Sequence, residues 1–245
     1  LARHLLAVGR RKQAREVAMR AADGLRGRGD PDAAISLLAA AASGEKSRNW
    51  RLRFAEEMSA LHELAGDHEE GIACLESALR GDLGPPGTRD AVRIRRRLGV
   101  HHHRAGSAEK ALELFREVLA MADPRRDVEE LIFVGSELAE LHTLRGEYVE
   151  AEEACRRALA LLSKAIRAGE EFRSRMEVTL RASLGHLELR RMSLDRAKQE
   201  LEAAARLARS FGTTAIQALI LNNLGIVHNQ LNDFSDCNSV AGSMN

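Results

Sequence analysis

Apolar residues along this chain recur at positions i, i+3, i+4 and i+7, which is the spacing of amphipathic helices. Glycine, proline and short polar clusters separate these stretches. The pattern predicts about a dozen helices, over residues 1–8, 11–26, 31–42, 49–65, 68–80, 88–105, 108–122, 126–145, 148–167, 169–191, 194–211 and 213–231.

The helical pattern repeats along the chain. The ten residues that end at Gly106 superpose on the segment that ends at Gly146 when the sequence is shifted by 40. The turn positions of all copies are Gly29, Gly66, Gly106, Gly146, Met192 and Asn232, with spacings of 37, 40, 40, 46 and 40. Such a period predicts stacked helical hairpins, each ending its first helix in a left-handed turn. Asp30, Ser107 and Asp233 follow a turn and are expected to cap the next helix.

The best copies resemble a tetratricopeptide repeat. The signature positions of that family are occupied by Leu98, Gly99, Gly106, Ala111, Phe115 and Pro124 in one copy, and by Leu184, Gly185, Ala197 and Ala204 in another. The period differs, because the family repeats every 34 residues or so. The family's tryptophan is absent, and its first-helix tyrosine is replaced by His62, His102, His142, Glu188 and His228.

Longer, histidine-bearing units of this kind are similar to the helical arrays of large bacterial regulators. The maltose-regulon type of transcription activator and multidomain serine/threonine kinases with a fused ATPase are examples. The opening stretch Leu1–Gly9 is similar to the segment that follows the ATPase part in such proteins. The resemblance implies a piece of a larger cytoplasmic protein, with the chemistry in neighbouring domains.

The predicted fold is therefore an all-α, right-handed superhelix of about six hairpins in a single domain over residues 1–245. It comprises a weak first unit at 1–43 and repeats at 48–81, 88–124, 128–168, 174–211 and 214–245, the last incomplete. The break at 81–87, which contains Pro85 and Pro86, is too short for a domain linker. We expect the polar end from Ser235 to begin a second helix and no more.

Composition agrees with packed helices and excludes most β folds. Hydrophobic residues make up 44% of the chain, but aromatic residues only 3%, and there are four prolines. The 37 basic and 36 acidic residues give a net charge of +1, which offers no global field for nucleic acid or an anionic membrane. No apolar run reaches the roughly 20 residues of a membrane span, and no leader pattern opens the chain. Three widely spaced cysteines, Cys74, Cys155 and Cys237, are expected to be buried thiols.

No sequence motif predicts catalysis, a cofactor or a metal site. The three histidines 101–103 spread about 100° apart on a helix and cannot converge on one ion. His102 is expected to pack between helices, and His103 to face the concave surface. The chain contains neither a phosphate-binding glycine loop nor a hydrolase or zinc-protease motif. Its adjacent glutamates diverge on a helix and are expected to be solvated.

The remaining candidate is a binding groove. In the family that this chain resembles, the first helix of each hairpin lines the concave surface. By position that surface would contain Arg53, Arg93, Arg96, His103, Arg104, Phe133, Glu140, His186, Asn222 and Asn229. The arginines of residues 89–104 form a basic stripe that could bind an acidic peptide through bidentate contacts. The alternative is a solvated helix whose arginines pair with glutamates of adjacent hairpins.

Two functional hypotheses remain open. The first is a non-catalytic interaction module of a larger signalling or transcription-regulatory protein, binding another protein, a second copy of itself or a neighbouring domain. The second, implied by the resemblance to maltose-type regulators, is a sensor of a small effector that controls an adjacent ATPase. A sensor needs apolar walls, for which only Phe133 and Trp50 stand out.

Overall fold

The computed structural model describes residues 2–79, 87–211 and 214–242. Within these ranges the chain forms twelve α-helices and no strand, which confirms the predicted all-α helical-repeat fold. The helices are α1 (Ala2–Ala7), α2 (Arg11–Arg26), α3 (Pro31–Ala42), α4 (Arg48–Ala65), α5 (His68–Leu79), α6 (Arg89–Arg104), α7 (Ala108–Met121), α8 (Val128–Arg145), α9 (Tyr148–Lys164), α10 (Glu170–Arg190), α11 (Leu194–Phe211) and α12 (Thr214–Gly242). None of these twelve helices combines the length and the apolar character that a membrane span requires.

The chain divides into two compact units, unit 1 (Leu1–Ala122) and unit 2 (Asp123–Asn245). Their boundary falls two residues before the end of the predicted repeat 88–124. The single domain over 1–245 stays a prediction, and each unit is described by itself.

Unit 1 consists of the hairpins α2–α3, α4–α5 and α6–α7, with α1 packed on the first of them. Alanines that are fully buried, such as Ala18 and Ala34, let the helices of the first hairpin approach closely. Phe54 and Leu61 of α4 complete that core. A second apolar cluster joins α4, α5 and α6 around Leu75. The burial pattern therefore follows the small and bulky positions of the repeat.

Unit 2 contains the hairpins α8–α9 and α10–α11, followed by α12, which packs on both α10 and α11. Small residues again line the second helix of the hairpin, with Ala197, Ala204 and Ala208 buried beside Leu201. From α12, Ile220 and Val227 insert into the same cluster.

The hairpin turns share one hydrogen-bond pattern. The N–H that follows the turn residue donates to a carbonyl five residues back, as from Ser107 to His102 at 2.8 Å and from Ser193 to Glu188 at 2.9 Å. The turn residue itself is left-handed, with φ near +80° at Gly106 and +61° at Met192. A non-glycine residue in this conformation is disfavoured by about 1 kcal/mol, so at Met192 the surrounding hairpin, and not the residue type, fixes the turn.

Two details of the sequence prediction are wrong. Asn232 is not a turn, and no second helix begins at Asp233 or Ser235, because α12 runs unbroken through these residues to Gly242. Neither Asn232 nor its neighbours is a glycine, and asparagine costs a helix only a few tenths of a kcal/mol. Ser107 makes no side-chain cap, whereas Asp30 accepts from the Ala33 N–H at 3.1 Å as expected. The Ser107 backbone is held by the turn bond described above, so α7 begins without its hydroxyl.

Some predictions concern residues that are not described. The break at 81–87 lies outside the described residues apart from Gly87, which has φ +86°. The side chains of Asp233 and Cys237 also lie outside the described part of the chain.

Candidate interaction surface

The arginine-rich helix α6 is amphipathic, which fixes the outward direction of its basic side chains. Val92, Ile94 and Leu98 are buried, and the Thr88 hydroxyl caps the helix by accepting from the Ala91 N–H at 3.3 Å. Arg93 and Arg96, two of the predicted groove residues, are half-buried on this helix, whereas Arg104 is exposed.

Arg93 pairs with carboxylates on both sides. Its Nη2 donates to Glu56 Oε2 of α4 at 3.1 Å and to Asp90 Oδ1 of its own helix at 3.2 Å. Burial raises the pKa of Glu56, an effect that the positive charges of Arg93 and Arg97 oppose. An acidic ligand at Arg93 would therefore have to displace an existing bridge between adjacent hairpins.

Arg95 is also paired, since its Nε donates to Glu117 Oε2 of α7 at 2.8 Å. The alternative, in which stripe arginines pair with glutamates of adjacent hairpins, thus describes Arg93. Arg95 pairs with a glutamate of its own hairpin. Arg53 of α4 differs from these two arginines, because it lies beside Trp50 and pairs with no carboxylate in the described part of the chain.

Arg53 is exposed, and its guanidinium lies over the ring of the only tryptophan of the chain. Its guanidinium carbon is 4.5 Å from the Trp50 ring centroid, and that of Arg15 is 5.6 Å from it. The Trp50 ring contacts the fully buried Phe54, with the ring centroids 5.7 Å apart. Arg15 is itself held by a bidentate bridge to Glu45 at 2.6 and 2.7 Å. The half-buried Trp50 ring therefore packs on the buried Phe54 and has two guanidinium groups within 6 Å of its centroid.

His103, which sequence reasoning placed on the concave surface of the same array, is buried, with 9% of its surface exposed. Little of its ring is available to a ligand. Its place in a binding groove stays a prediction, as does that of Arg96 and Arg104.

In unit 2 the predicted groove residues of α8 and α10 lie near each other. Phe133 makes an edge-to-face contact with Phe172, with the centroids 5.5 Å apart. Burial lowers the pKa of His186, Arg190 adds to this, and the negative charge of Glu140 opposes it. His186 is thus a half-buried imidazole whose neutral form is favoured, with a carboxylate in range. Asn222 and Asn229 are both exposed on α12, two turns apart on its outer face.

Sequence reasoning missed a buried polar cluster in unit 1. His101 is fully buried, whereas His102 is half-buried with Glu76 of α5 and Lys110 of α7 in range, so the packing of His102 between helices stays a prediction. The His101 Nε2 is 2.8 Å from the Ser59 Oγ, and its Nδ1 is 3.4 Å from the Nδ1 of His68. A signal for this existed, because four of the five other copies carry a buried apolar residue at the equivalent position: Leu61, Leu141, Leu187 and Val227.

Of the two described cysteines, Cys155 is buried as expected, whereas Cys74 is half-buried. Both should nevertheless react slowly. Burial raises the pKa of Cys74 to about 11 and, together with nearby carboxylates, that of Cys155 to about 12. Because the thiolate is the reactive form, we expect both to react with a disulfide reagent at pH 8 more than about 100-fold slower than free cysteine. The measurement uses a Cys237→Ser variant, in which only Cys74 and Cys155 can react with the reagent. As a control, both thiols should react completely when the protein is unfolded in urea. Fast labelling of either thiol in the folded protein would contradict the packing described here.

Comparisons with known proteins agree with the hairpin geometry. The tetratricopeptide repeat family matches residues 64–125, which contain α5, the α5–α6 connection, α6 and α7. No curated protein matches the chain by sequence.

Among solved structures, a variant of a Podosopora anserina putative kinesin light chain with nearly identical TPR-like repeats superposes with a TM-score of 0.61 at 18% identity, covering 85% of this chain and 96% of that one. A thermophilic TPR protein of Thermus thermophilus gives a TM-score of 0.59 at 16% identity, with coverage of 86% and 98%. The Cut9–Hcn1 hetero-tetramer of the APC/C gives 0.60 at 14% identity, with 90% and 40% covered. At these identities the likeness establishes the fold alone, and the chain is a tetratricopeptide-repeat-like helical array.

Proposed function

We propose that this chain is a non-catalytic module that binds an acidic segment of a protein partner on the α4–α6 surface of unit 1. Repeats of this class generally mediate protein–protein interaction, and an array of stiff hairpins offers a preformed surface, so binding does not have to order the receptor first. The larger context that we propose is a cytoplasmic signalling or transcription-regulatory protein, on the basis of the resemblance of the longer repeats to bacterial regulators.

The Arg53–Trp50 stack is the observation that carries this proposal. Stacking on an aromatic ring uses the face of a guanidinium and leaves its N–H edge free to make two parallel hydrogen bonds to a carboxylate. Arg53 is exposed, and within the described part of the chain no carboxylate pairs with it. The side chain is already oriented, so less rotamer entropy is lost when a ligand binds.

The paired arginines refine the choice of ligand. Arg93 already pairs with Glu56 and Asp90. When an acidic ligand binds Arg93, a ligand carboxylate only replaces one of these two, so the net gain in binding free energy is small. We therefore expect affinity to depend chiefly on Arg53. We also expect it to fall as salt rises, because exposed charges are screened over about 10 Å at 0.1 M ionic strength.

The test uses the fluorescence of Trp50, since the chain contains no other tryptophan. Titration with short Asp- and Glu-rich peptides should change that fluorescence with saturation. Arg53→Lys, which keeps the charge but loses the planar fork, should weaken binding at least about 10-fold, or about 1.4 kcal/mol.

Arg51→Lys is the matched control, because Arg51 is an exposed arginine two residues away on another face of α4. It should bind as the unchanged protein does. Equal losses in the two variants, or no saturable binding of any acidic peptide at low salt, would overturn the proposal.

The effector-sensor alternative has one observation in its favour. Unit 1 contains an open cavity of about 640 Å³, within the range of small-molecule sites. Its lining is mostly small and apolar, formed by Ala42, Arg51, Ala55, Met58, Cys74, Ser77 and Ala78. Calorimetry against a metabolite library distinguishes the two functions: a metabolite that binds tightly and loses affinity in an Ala55→Trp variant, with no peptide binding, would favour the sensor.

A further inference from the structure

One side of α12 lacks the partner that the equivalent helices α6 and α10 have. Gly225 occupies the repeat position of Gly99 and Gly185. A Cβ built at Gly99 would lie 2.4 Å from the Phe115 ring of α7, and one at Gly185 would lie 2.5 Å from Leu201 of α11. At Gly225 nothing in the described part of the chain lies within 4 Å of the same point. The second helix of the hairpin, which covers this position elsewhere, does not form within the described residues because α12 continues straight to Gly242.

The uncovered side carries apolar residues of α12 and no Asp, Glu, Lys or Arg of that helix within residues 214–232. We call it the α12 strip, formed by Leu221, Leu224, Gly225 and His228. Leu221 is 65% exposed, and Leu224 is half-buried. From Thr214 to Asn232 the sequence contains no Asp, Glu, Lys or Arg, although 30% of the whole chain is charged. Depletion of charge around exposed apolar side chains is typical of the core of a protein interface.

The order of residues along the strip makes it complementary to itself. Leu221 precedes Gly225 by four residues, or about 6 Å along the helix axis. In an antiparallel pair of α12 helices related by a two-fold axis, each Leu221 lies opposite the other copy's Gly225. This contact reproduces the one between Leu201 and Gly185 inside the α10–α11 hairpin. Two-fold pairs with such self-complementary patches are the commonest oligomers of soluble proteins.

Charge also favours a second copy over a charged partner. The α12 residues of the strip include no Asp, Glu, Lys or Arg, so they create no repulsion when the strip meets its own copy; Arg209 of α11 lines a pocket with Leu221 at the edge of the strip. We infer that the α12 strip is a homodimer interface, in which Leu221 of each copy packs on Gly225 of the other. This inference is independent of the peptide surface proposed in unit 1.

Sedimentation velocity of the full chain between about 1 and 200 µM tests the inference. We expect the mass to rise with concentration from 26.9 kDa toward about twice that value. Leu221→Glu should raise the dissociation constant at least about 10-fold. Leu219→Glu is the matched control, since Leu219 is 53% exposed on the opposite flank of the same helix, and it should leave association unchanged.

Crosslinking checks the geometry. In a Cys237→Ser background, Leu221→Cys combined with Gly225→Cys should give a disulfide-linked dimer on mild oxidation, whereas Leu219→Cys combined with Gly225→Cys should not. A chain that stays monomeric at the highest concentration, or a dimer that Leu219→Glu weakens as much as Leu221→Glu, overturns the inference. A further outcome would also overturn the inference: the chain stays monomeric but binds an added peptide with the sequence of residues 194–211. The strip would then bind a separate helix and not a second copy of α12.

Discussion

Lowering the pH from 7 to 4 should remove about 2–3 kcal/mol from the unfolding free energy through His101 alone. This imidazole is fully buried in unit 1 between Ser59 of α4, His68 of α5 and the backbone at Gly71. Burial lowers its pKa to about 4, and the nearby His68, Arg97 and His62 add to the effect, while the bond to Ser59 opposes it. The folded state therefore requires the neutral ring.

The direction of the pH effect follows from the two pKa values. In the unfolded chain His101 has an ordinary pKa near 6.5, above its folded value of about 4. Between these values the unfolded state binds more protons than the folded state, so stability falls as the pH falls. The contribution is intact above pH 6.5 and is lost as the pH approaches 4.

The contact between His101 and His68 also favours a neutral His101. Two imidazoles whose Nδ1 atoms lie 3.4 Å apart can share one proton between these atoms, but they cannot each hold one there. The ring centroids are 5.6 Å apart, so the two nitrogens point nearly at each other. This head-on arrangement suits a single N–H···N bond and leaves no space for an ion between the rings.

The measurement compares the unchanged chain with a Ser59→Ala, His101→Leu variant by urea unfolding at several pH values. Leu is the residue at most of the equivalent repeat positions, and replacing both partners removes the hydrogen bond without leaving an orphan hydroxyl. Trp50 reports the unfolding of unit 1. The variant should match the unchanged chain to within about 1 kcal/mol at pH 7 and exceed it by about 2–3 kcal/mol near pH 4.

Native carboxylate bridges also weaken in acid, so only the difference between the two proteins reports on His101. A His101→Leu variant that keeps Ser59 supplies the control. It should be destabilised by about 1–3 kcal/mol at pH 7, because the buried hydroxyl then has no partner. Parallel pH curves for the unchanged chain and the double variant would contradict a neutral buried His101.

The helix pattern could be predicted from the sequence because the period constrains it more strongly than any single residue does. Helices α2, α3 and α11 begin and end at the predicted residues. Met192 is the clearest example, since its left-handed turn was placed by counting from its neighbours and not by residue type. The same counting failed at Asn232, where no glycine penalises the continuation of a helix.

The site could be predicted only in part, because its chemistry depends on contacts between helices that are distant in sequence. The position of Arg93 on the outer side of α6 follows from amphipathicity, but its pairing with Glu56, 37 residues earlier, depends on how the hairpins stack. The contact between Arg53 and Trp50 is local, because the two residues are three positions apart on α4. Nothing in the sequence distinguishes this pair from other arginines near apolar residues. The burial of His101 could have been predicted from the repeat, because the same position carries the buried Leu61 and Leu141 in other copies; its partners Ser59 and His68 lie on other helices and give no local signal.

Replacing glycine by leucine at one repeat position should change the unfolding free energy in opposite directions at Gly99 of α6 and Gly225 of α12. Gly99→Leu should lower the unfolding free energy by at least about 3 kcal/mol, because even a Cβ would lie 2.4 Å from Phe115, a fully buried ring that cannot move aside. Gly225→Leu should raise it by up to about 1 kcal/mol, because the position is open and leucine favours a helix over glycine by about that amount.

Gly185→Leu is the third member of this series and should behave as Gly99→Leu does, since a Cβ there would lie 2.5 Å from Leu201. Urea unfolding followed by circular dichroism, at a protein concentration of about 1 µM where α12 pairing is negligible, measures all three. If Gly225→Leu were as destabilising as Gly99→Leu, a helix would have to cover α12 in the isolated chain. If none of the three variants lost unfolding free energy, close packing between the first and second helices of the hairpins would not contribute to stability. Two losses and one gain are expected because α7 covers Gly99 and α11 covers Gly185, whereas no described residue lies within 4 Å of a Cβ at Gly225.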